Sequence, residues 1–127
     1  MKEETQKLLD KASRAVHAAE IMLRERDVDF AAGRAYYTMF YVAEALLNEK
    51  GIRVRKHGGV HGAFGEHCVK SGLVDPKFHR WLLDAFDKRI QGDYGVEAVV
   101  TLEDVVSMIE QAREFLHEAH RYLGLLS

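Results

Sequence analysis

The sequence predicts an all-α fold, a bundle of four to five helices, on three observations. Apolar residues recur every three or four positions from one end of the chain to the other. No segment alternates apolar and polar residues over enough positions to argue for a sheet. The breaks between periodic segments are short and hold residues that stop and start helices, with a single proline in 127 residues. Short connections of this kind favour antiparallel neighbours.

The first helix is expected from about residue 3 to 26, where Leu8, Leu9, Ala12, Ala15, Val16, Ala19, Met22 and Leu23 form one stripe. Asp29 is positioned to cap a second helix running from Phe30 to about Lys50, and Gly51 suits the left-handed residue that ends it. After the loop IRVRKHGG a shorter third helix is expected over Val60 to Lys70, stopping at Ser71 and Gly72. Asp75 and Pro76 read as the cap and first residue of a fourth, which should end near Gln91 with Gly92 as its left-handed terminator. Thr101 with Asp104 resembles a capping box for the fifth, whose stripe is Val105, Met108, Ile109, Ala112, Phe115, Leu116, Ala119, Tyr122 and Leu123.

With 47% hydrophobic and 30% charged residues, the chain reads as one soluble domain over residues 1–127, with room for one core. One cysteine, Cys68, excludes an internal disulfide and suits a reducing compartment. The start MKEETQKLLD shows neither a secretory n-region nor a small-residue cleavage site, so a cytoplasmic location is expected. No run of ~18 apolar residues occurs, and no membrane partner is expected. Eighteen basic against twenty acidic residues argue against coating duplex DNA through bulk positive charge, although IRVRKHGG is a local basic spot.

Two polar clusters break the helical pattern. On the second helix Ala35, Tyr36, Met39, Phe40, Val42, Ala43, Leu46 and Leu47 cover one broad arc, which is core. At its edge Arg34, Tyr37, Tyr41, Glu44 and Asn48 are spaced three, four, three and four apart, like a heptad seam. That line is either a solvated face with tyrosines lying flat or a wet interface with another chain, where tyrosine and arginine are enriched. On the fourth helix Arg89 continues the apolar stripe of Phe78, Leu82, Ala85 and Phe86. A guanidinium cannot shed its charge there, so it must snorkel or meet an anion. Either Asp93 pairs with it to close the helix, or Arg89, Asp93 and Tyr94 face a cleft that binds phosphate.

Other constellations carry less. His57, His61 and Cys68 would share a face if one helix ran unbroken through them, but three ligands without a fourth do not make a metal site, and none is expected. No Gly-rich phosphate loop, nucleophile elbow or HExxH occurs, and no cofactor is called for. Cys68 has no activating neighbour in sequence beyond His67.

The blocks GRAYYTMFYVAEALLNEKG, KHGGVHGAFGEHCVKSG and FDKRIQGDYG, in that order, closely resemble the HEPN domain proteins over roughly Asp29 to Leu123. The resemblance implies an up-and-down four-helix bundle with an additional short helix, pairing into a homodimer. It implies a minimal nucleotidyltransferase as partner in a toxin–antitoxin pair, and in ribonuclease members an arginine followed after four to six residues by histidine at the dimer cleft. Arg89 matches that arginine, and Tyr94 stands where the histidine would be. A tyrosine, with its pKa of about 10, is a poor base at neutral pH. In some related pairs AMP is attached to a tyrosine near this motif, a position Tyr94 shares.

Two functions are therefore expected in order. The first is a homodimeric partner of a nucleotidyltransferase with a nucleotide- or RNA-binding cleft lined by Arg89 and Tyr94, and with Arg34, Tyr37, Tyr41, Glu44 and His57 as binding residues. The second is a metal-independent endoribonuclease in which Arg89 stabilises transition-state charge and Asp93, Tyr94 or His57 replaces the histidine.

Overall fold

The computed structural model describes residues 1–54, 57–95 and 100–126. Among the described residues the chain folds as five helices in an all-α bundle: α1 (Glu3–Arg24), α2 (Val28–Glu49), α3 (His57–Phe64), α4 (Pro76–Tyr94) and α5 (Leu102–Leu126). The short α3 continues into one π-helical stretch, Gly65–Val69. The four long helices form the bundle, and α2 touches each of the other three, including α5 across the diagonal.

The ends of the helices follow local chemistry. At the end of α2 the amide of Gly51 donates to the carbonyl of Asn48 and that of Ile52 to Leu47, both at 3.0 Å, with Gly51 at φ 76°. This pairing satisfies carbonyls that the helix leaves open and turns the chain. Gly72, φ 82°, repeats it after the π-helical stretch, and Arg26, φ 67°, repeats it in the turn from α1 to α2 without a glycine. Asp75 caps α4 by accepting from the Lys77 amide at 2.8 Å, with Pro76 in the first turn. Thr101 and Asp104 form the reciprocal box at the start of α5, each backbone amide donating to the other's side chain at 3.0 Å. Hydrogen bonding from the Thr101 amide, and then from its hydroxyl, holds the Asp104 carboxyl below its usual range.

Three expected boundaries are corrected. Helix α2 begins at Val28, so Asp29 lies in its first turn, favourably near the positive end of the helix, and does not cap it. Helix α3 starts at His57, three residues before expected. Helix α4 runs on to Tyr94, and Gly92 is a helical residue in place of a terminator. A side chain here would be tightly crowded. A Cβ there would lie 3.3 Å from the carbonyl oxygen of Asp29 and 3.5 Å from its Cα, so α4 crosses the start of α2 at backbone contact.

The opposite end of α2 is fastened to the start of α1. The Lys2 amide and the Thr5 hydroxyl both donate to one carboxylate oxygen of Glu49, at 3.0 and 2.9 Å, and Asn48 donates to the Thr5 hydroxyl at 3.0 Å. Thr5 is fully buried and satisfied, which makes α1 and α2 an antiparallel hairpin of fixed register. Between these two anchors thirteen of the 22 residues of α2 are buried, more than one face of a helix can supply, so neighbours enclose it on several sides. Five are alanines, which let those neighbours come close. The far side of the core is aromatic, with Phe78 stacked on Phe115 at 4.9 Å between ring centres and Phe64 tilted against Phe115 at 5.4 Å.

Gly92→Ala tests the crossing. Replacing glycine inside a helix ordinarily gains about 1 kcal/mol, but a methyl group pressed on the Asp29 backbone must push two helices apart, at a cost of 1–3 kcal/mol. We expect net destabilisation of ~1 kcal/mol in urea melts. An unchanged or raised midpoint would show that the crossing is looser than described.

Candidate functional site

All five seam residues of α2, Arg34, Tyr37, Tyr41, Glu44 and Asn48, are half-buried. The rings of Tyr37 and Tyr41, one helical turn apart, stack with centres 5.8 Å apart and planes at 29°. Cations lie on both rings. Lys11 of α1 places its Nζ 4.7 Å from the centre of Tyr41, while the guanidinium carbons of Arg34 and Arg89 are 5.0 and 5.1 Å from that of Tyr37. The structure thereby joins the two polar clusters, which lie far apart in sequence, through one tyrosine. A ring holds a cation, by ~0.5–2 kcal/mol according to exposure, without neutralising it.

Arg89 reaches Tyr37 because the α4–α2 crossing at Gly92 is one turn away. Its side chain is 20% exposed and its Nε pairs with a carboxylate oxygen of Asp93 at 3.0 Å. The acid is on the rim, 34% exposed, and successive-turn pairs at such a surface are worth only ~0.3–0.5 kcal/mol. Asp93 therefore steers the guanidinium and would yield to a phosphate, which offers more charge and a bidentate edge.

Beneath Arg89 the floor is rigid. Tyr36 is fully buried, with Arg89 also 5.7 Å from its ring centre. Burial first, then the neighbouring Tyr37, pushes the Tyr36 phenol far above its ordinary range, with Arg89 pulling the other way. The Tyr36 phenol shares a hydrogen bond with Nε2 of His61 at 2.8 Å, and the His61 ring stands edge-on to Phe86 at 5.0 Å. The carbonyl of His61 can only accept, so the Nε2–H of His79 donates to it at 3.1 Å. The His79 ring fills the space where a Cβ on Gly65 would sit, 2.9 Å away, at the start of the π-helical stretch.

Two hollows flank the seam. One of about 190 Å³ lies between α1 and α2 and is lined by Lys11, Arg14, Ala15, Ala18, Arg34 and Tyr41. The other, of about 610 Å³, lies toward the end of α2, where Glu4, Glu44, Asn48 and Arg53 rim an apolar floor that includes Leu8, Leu47 and Val60. Burial raises the Glu44 carboxyl above its usual range, and Lys11 partly offsets this.

The remaining expected residues fall elsewhere. Tyr94 is the last residue of α4 and is 75% exposed. His57 begins α3, but its side chain lies outside the described residues. Cys68 is fully buried, its thiol pushed up to about 11 by burial, which makes it a poor nucleophile. Among the described residues no three His, Cys, Asp or Glu side chains are placed to hold a metal ion, and no helix is long and apolar enough to cross a membrane. Sequence reading missed Lys11 and Arg14, which became visible with the register of the hairpin, and the bond between Tyr36 and His61. No local pattern points to either.

The sequence model of the HEPN domain matches residues 5–122. The chain belongs to the HEPN family. It is similar, at 35% identity over 98% of its own length and 99% of the relative's, to the UPF0332 protein glr0978 of Gloeobacter violaceus. It is 31% identical to a Methanocaldococcus jannaschii protein named "Putative toxin MJ0142", over 96% of this chain and 83% of that one. A second from the same organism, "Putative toxin MJ0605", is 31% identical over 97% and 91%.

Glu44 gives the seam of α2 a pH signature. A carboxyl raised in the folded state binds its proton more tightly there than in the unfolded chain, so its contribution is full below the ordinary glutamate pKa and is lost as pH rises through the raised value. Glu44→Gln removes this loss. We expect a higher melting temperature than wild type at pH 7, with the difference shrinking toward pH 4. Equal differences at both pH values would mean that Glu44 is not desolvated.

Proposed function

We propose that this HEPN protein is the toxin-like member of a two-component pair, acting as a homodimer with a minimal nucleotidyltransferase as partner, and that it binds a nucleotide or RNA in a cleft lined by Arg89. The observation that carries the reading is the setting of Arg89. A permanent cation rests on a tyrosine platform, held by one weak, displaceable carboxylate, beside a second arginine on the same ring. A guanidinium wanted only to close a helix would not need a second cation next to it, since like charges repel. The toxin names of the two Methanocaldococcus relatives support the biological half of the proposal.

Pairing is supported by large side chains left in solvent on α2 and α4. Phe30 is 67% exposed in the first turn of α2, Leu83 is 38% exposed on α4, and Tyr94 ends α4. Exposed aromatics of this kind mark contact surfaces. Light scattering at micromolar concentration should give twice the chain mass of 14.5 kDa. Phe30→Asp should shift it toward the monomer, and because Phe30 is exposed the fold should survive. A dimer unaffected by that charge would remove Phe30 from the interface, and a wild-type monomer would remove the dimer from the proposal.

Arg89→Ala separates a ligand site from a structural pair. We expect melting to change little, by about the 0.3–0.5 kcal/mol of a surface pair plus lost ring contact, while affinity for AMP, ATP or a short RNA falls at least about tenfold. Pronounced destabilisation with strong coupling to Asp93→Asn, and no ligand affinity in wild type, would make Arg89 structural. Cleavage of generic RNA in EDTA by the isolated protein should be feeble, because Tyr94 stands where the motif's histidine would be and no histidine follows within that spacing. Robust cleavage lost in Arg89→Ala would instead favour an endoribonuclease.

A further inference from the structure

We infer that the hollow between α1 and α2 is a second phosphate subsite, formed by Lys11, Arg14 and Arg34 around Tyr41, and that the ligand of this face is single-stranded RNA several nucleotides long. The inference rests on the nucleotide- or RNA-binding reading above and sharpens it from a nucleotide-sized site to a track.

The lining of the hollow carries three cations, one aromatic ring and two alanines, with no carboxylate among them. Lys11 and Arg14 sit one turn apart on the outer face of α1 and are exposed, and Arg34 meets them from α2. Lys11 lies on Tyr41, Tyr41 stacks on Tyr37, and Tyr37 carries Arg34 and Arg89. Two stacked rings thus lie between cations on one line from α1 to α4. Aromatic faces that accept stacked bases, interleaved with cations that follow the backbone, are how single strands are held without a sequence code. Length supports a chain over a mononucleotide. Arg34 and Tyr41 are seven residues apart, about 10 Å of helix, and a stacked strand advances roughly 3.4 Å per nucleotide, so the track spans about three nucleotides. A duplex fits less well, because its bases are already stacked on each other and cannot lie on tyrosines. At the far end Glu44 and Glu4 begin the acidic rim of the larger hollow, which bounds the track.

The test compares AMP, a three-nucleotide RNA, a labelled eight-nucleotide single strand and a duplex of the same sequence, titrated against wild type, Lys11→Gln, Arg14→Gln, Tyr41→Ala and Tyr41→Phe. The two glutamine variants alter exposed residues and should fold normally, checked by circular dichroism and by mass. We expect affinity to rise from AMP to the eight-mer and to be weaker for the duplex. Each phosphate neutralised on a single strand contributes about 0.7 to the slope of log affinity against log salt. Lys11→Gln and Arg14→Gln should each lower the slope for the eight-mer by about that amount and leave AMP binding unchanged. Tyr41→Ala should weaken the eight-mer about fivefold or more, and Tyr41→Phe, which keeps the ring, should not.

An eight-mer that binds through Arg89 with an unchanged salt slope in both glutamine variants would overturn the subsite and leave the nucleotide site standing. Preference for the duplex would overturn the single-strand assignment. Loss of dimer mass in the glutamine variants would make these cations a contact between copies and overturn the subsite too. Absence of binding by every probe would overturn both this inference and the reading beneath it.

Discussion

The backbone contact between α4 and the start of α2 is the constraint on which the rest of this surface depends. Two helices normally pack 8–10 Å apart, a spacing set by side chains. Here Gly92 removes the side chain at the crossing, and the backbone of Asp29 fills the space. The approach carries the last turns of α4 inward and lays Arg89, one turn back, on the rings of Tyr36 and Tyr37. At the other end of α2, Glu49, Asn48 and Thr5 fix the register of α1, and that register sets Lys11 over Tyr41. The two anchors leave the seam little freedom to slide. The cation and ring positions are a consequence of helix packing more than of their own weak attractions, which at ~0.5–2 kcal/mol each could not order three long side chains alone.

Much of this was legible in the sequence, and what was not shares one physical cause. The period of the apolar residues, the Asp75–Pro76 start, the Thr101–Asp104 box, the left-handed Gly51 and the stop at Gly72 are local signals, read from a few neighbouring residues, and the fold class followed from them. The seam of Arg34, Tyr37, Tyr41 and Glu44 was also visible, because helical spacing alone puts those residues on one line. Gly92 was misread for a related reason. Locally a glycine near the end of an apolar stripe is a terminator, and nothing within α4 reveals that the Asp29 backbone occupies the space beside it. The contribution of α1 to the site, Lys11 and Arg14, was equally hidden, since nothing in the pattern of α1 singles them out until the hairpin sets them beside Arg34 and Tyr41. Contacts between elements decide these cases, and periodicity carries no information about them.

The charge pattern shows how a chain with a net charge of −2 can still gather several cations on one face. Bulk charge governs attraction at distances beyond the Debye length, about 8–10 Å in physiological salt, and on that scale this protein does not draw in nucleic acid. Within that length the local arrangement decides. Most basic side chains with a described partner are matched by carboxylates, as Lys77 is by Glu114, Arg113 by Glu20 and Arg121 by Glu118. On this face Arg34 rests on a ring, Lys11 rests on a ring with the Glu44 carboxyl close enough to interact with it, and Arg89 shares its ring contact with a single exposed acid. A carboxylate partner cancels a cation's field, whereas a ring's quadrupole orients the cation and leaves its charge to act on whatever approaches. Placing these cations on tyrosines therefore keeps their charge available on a surface that is otherwise electrically balanced. The same arrangement leaves the rings' remaining area beside the cations, where a nucleobase and its phosphate could be met together.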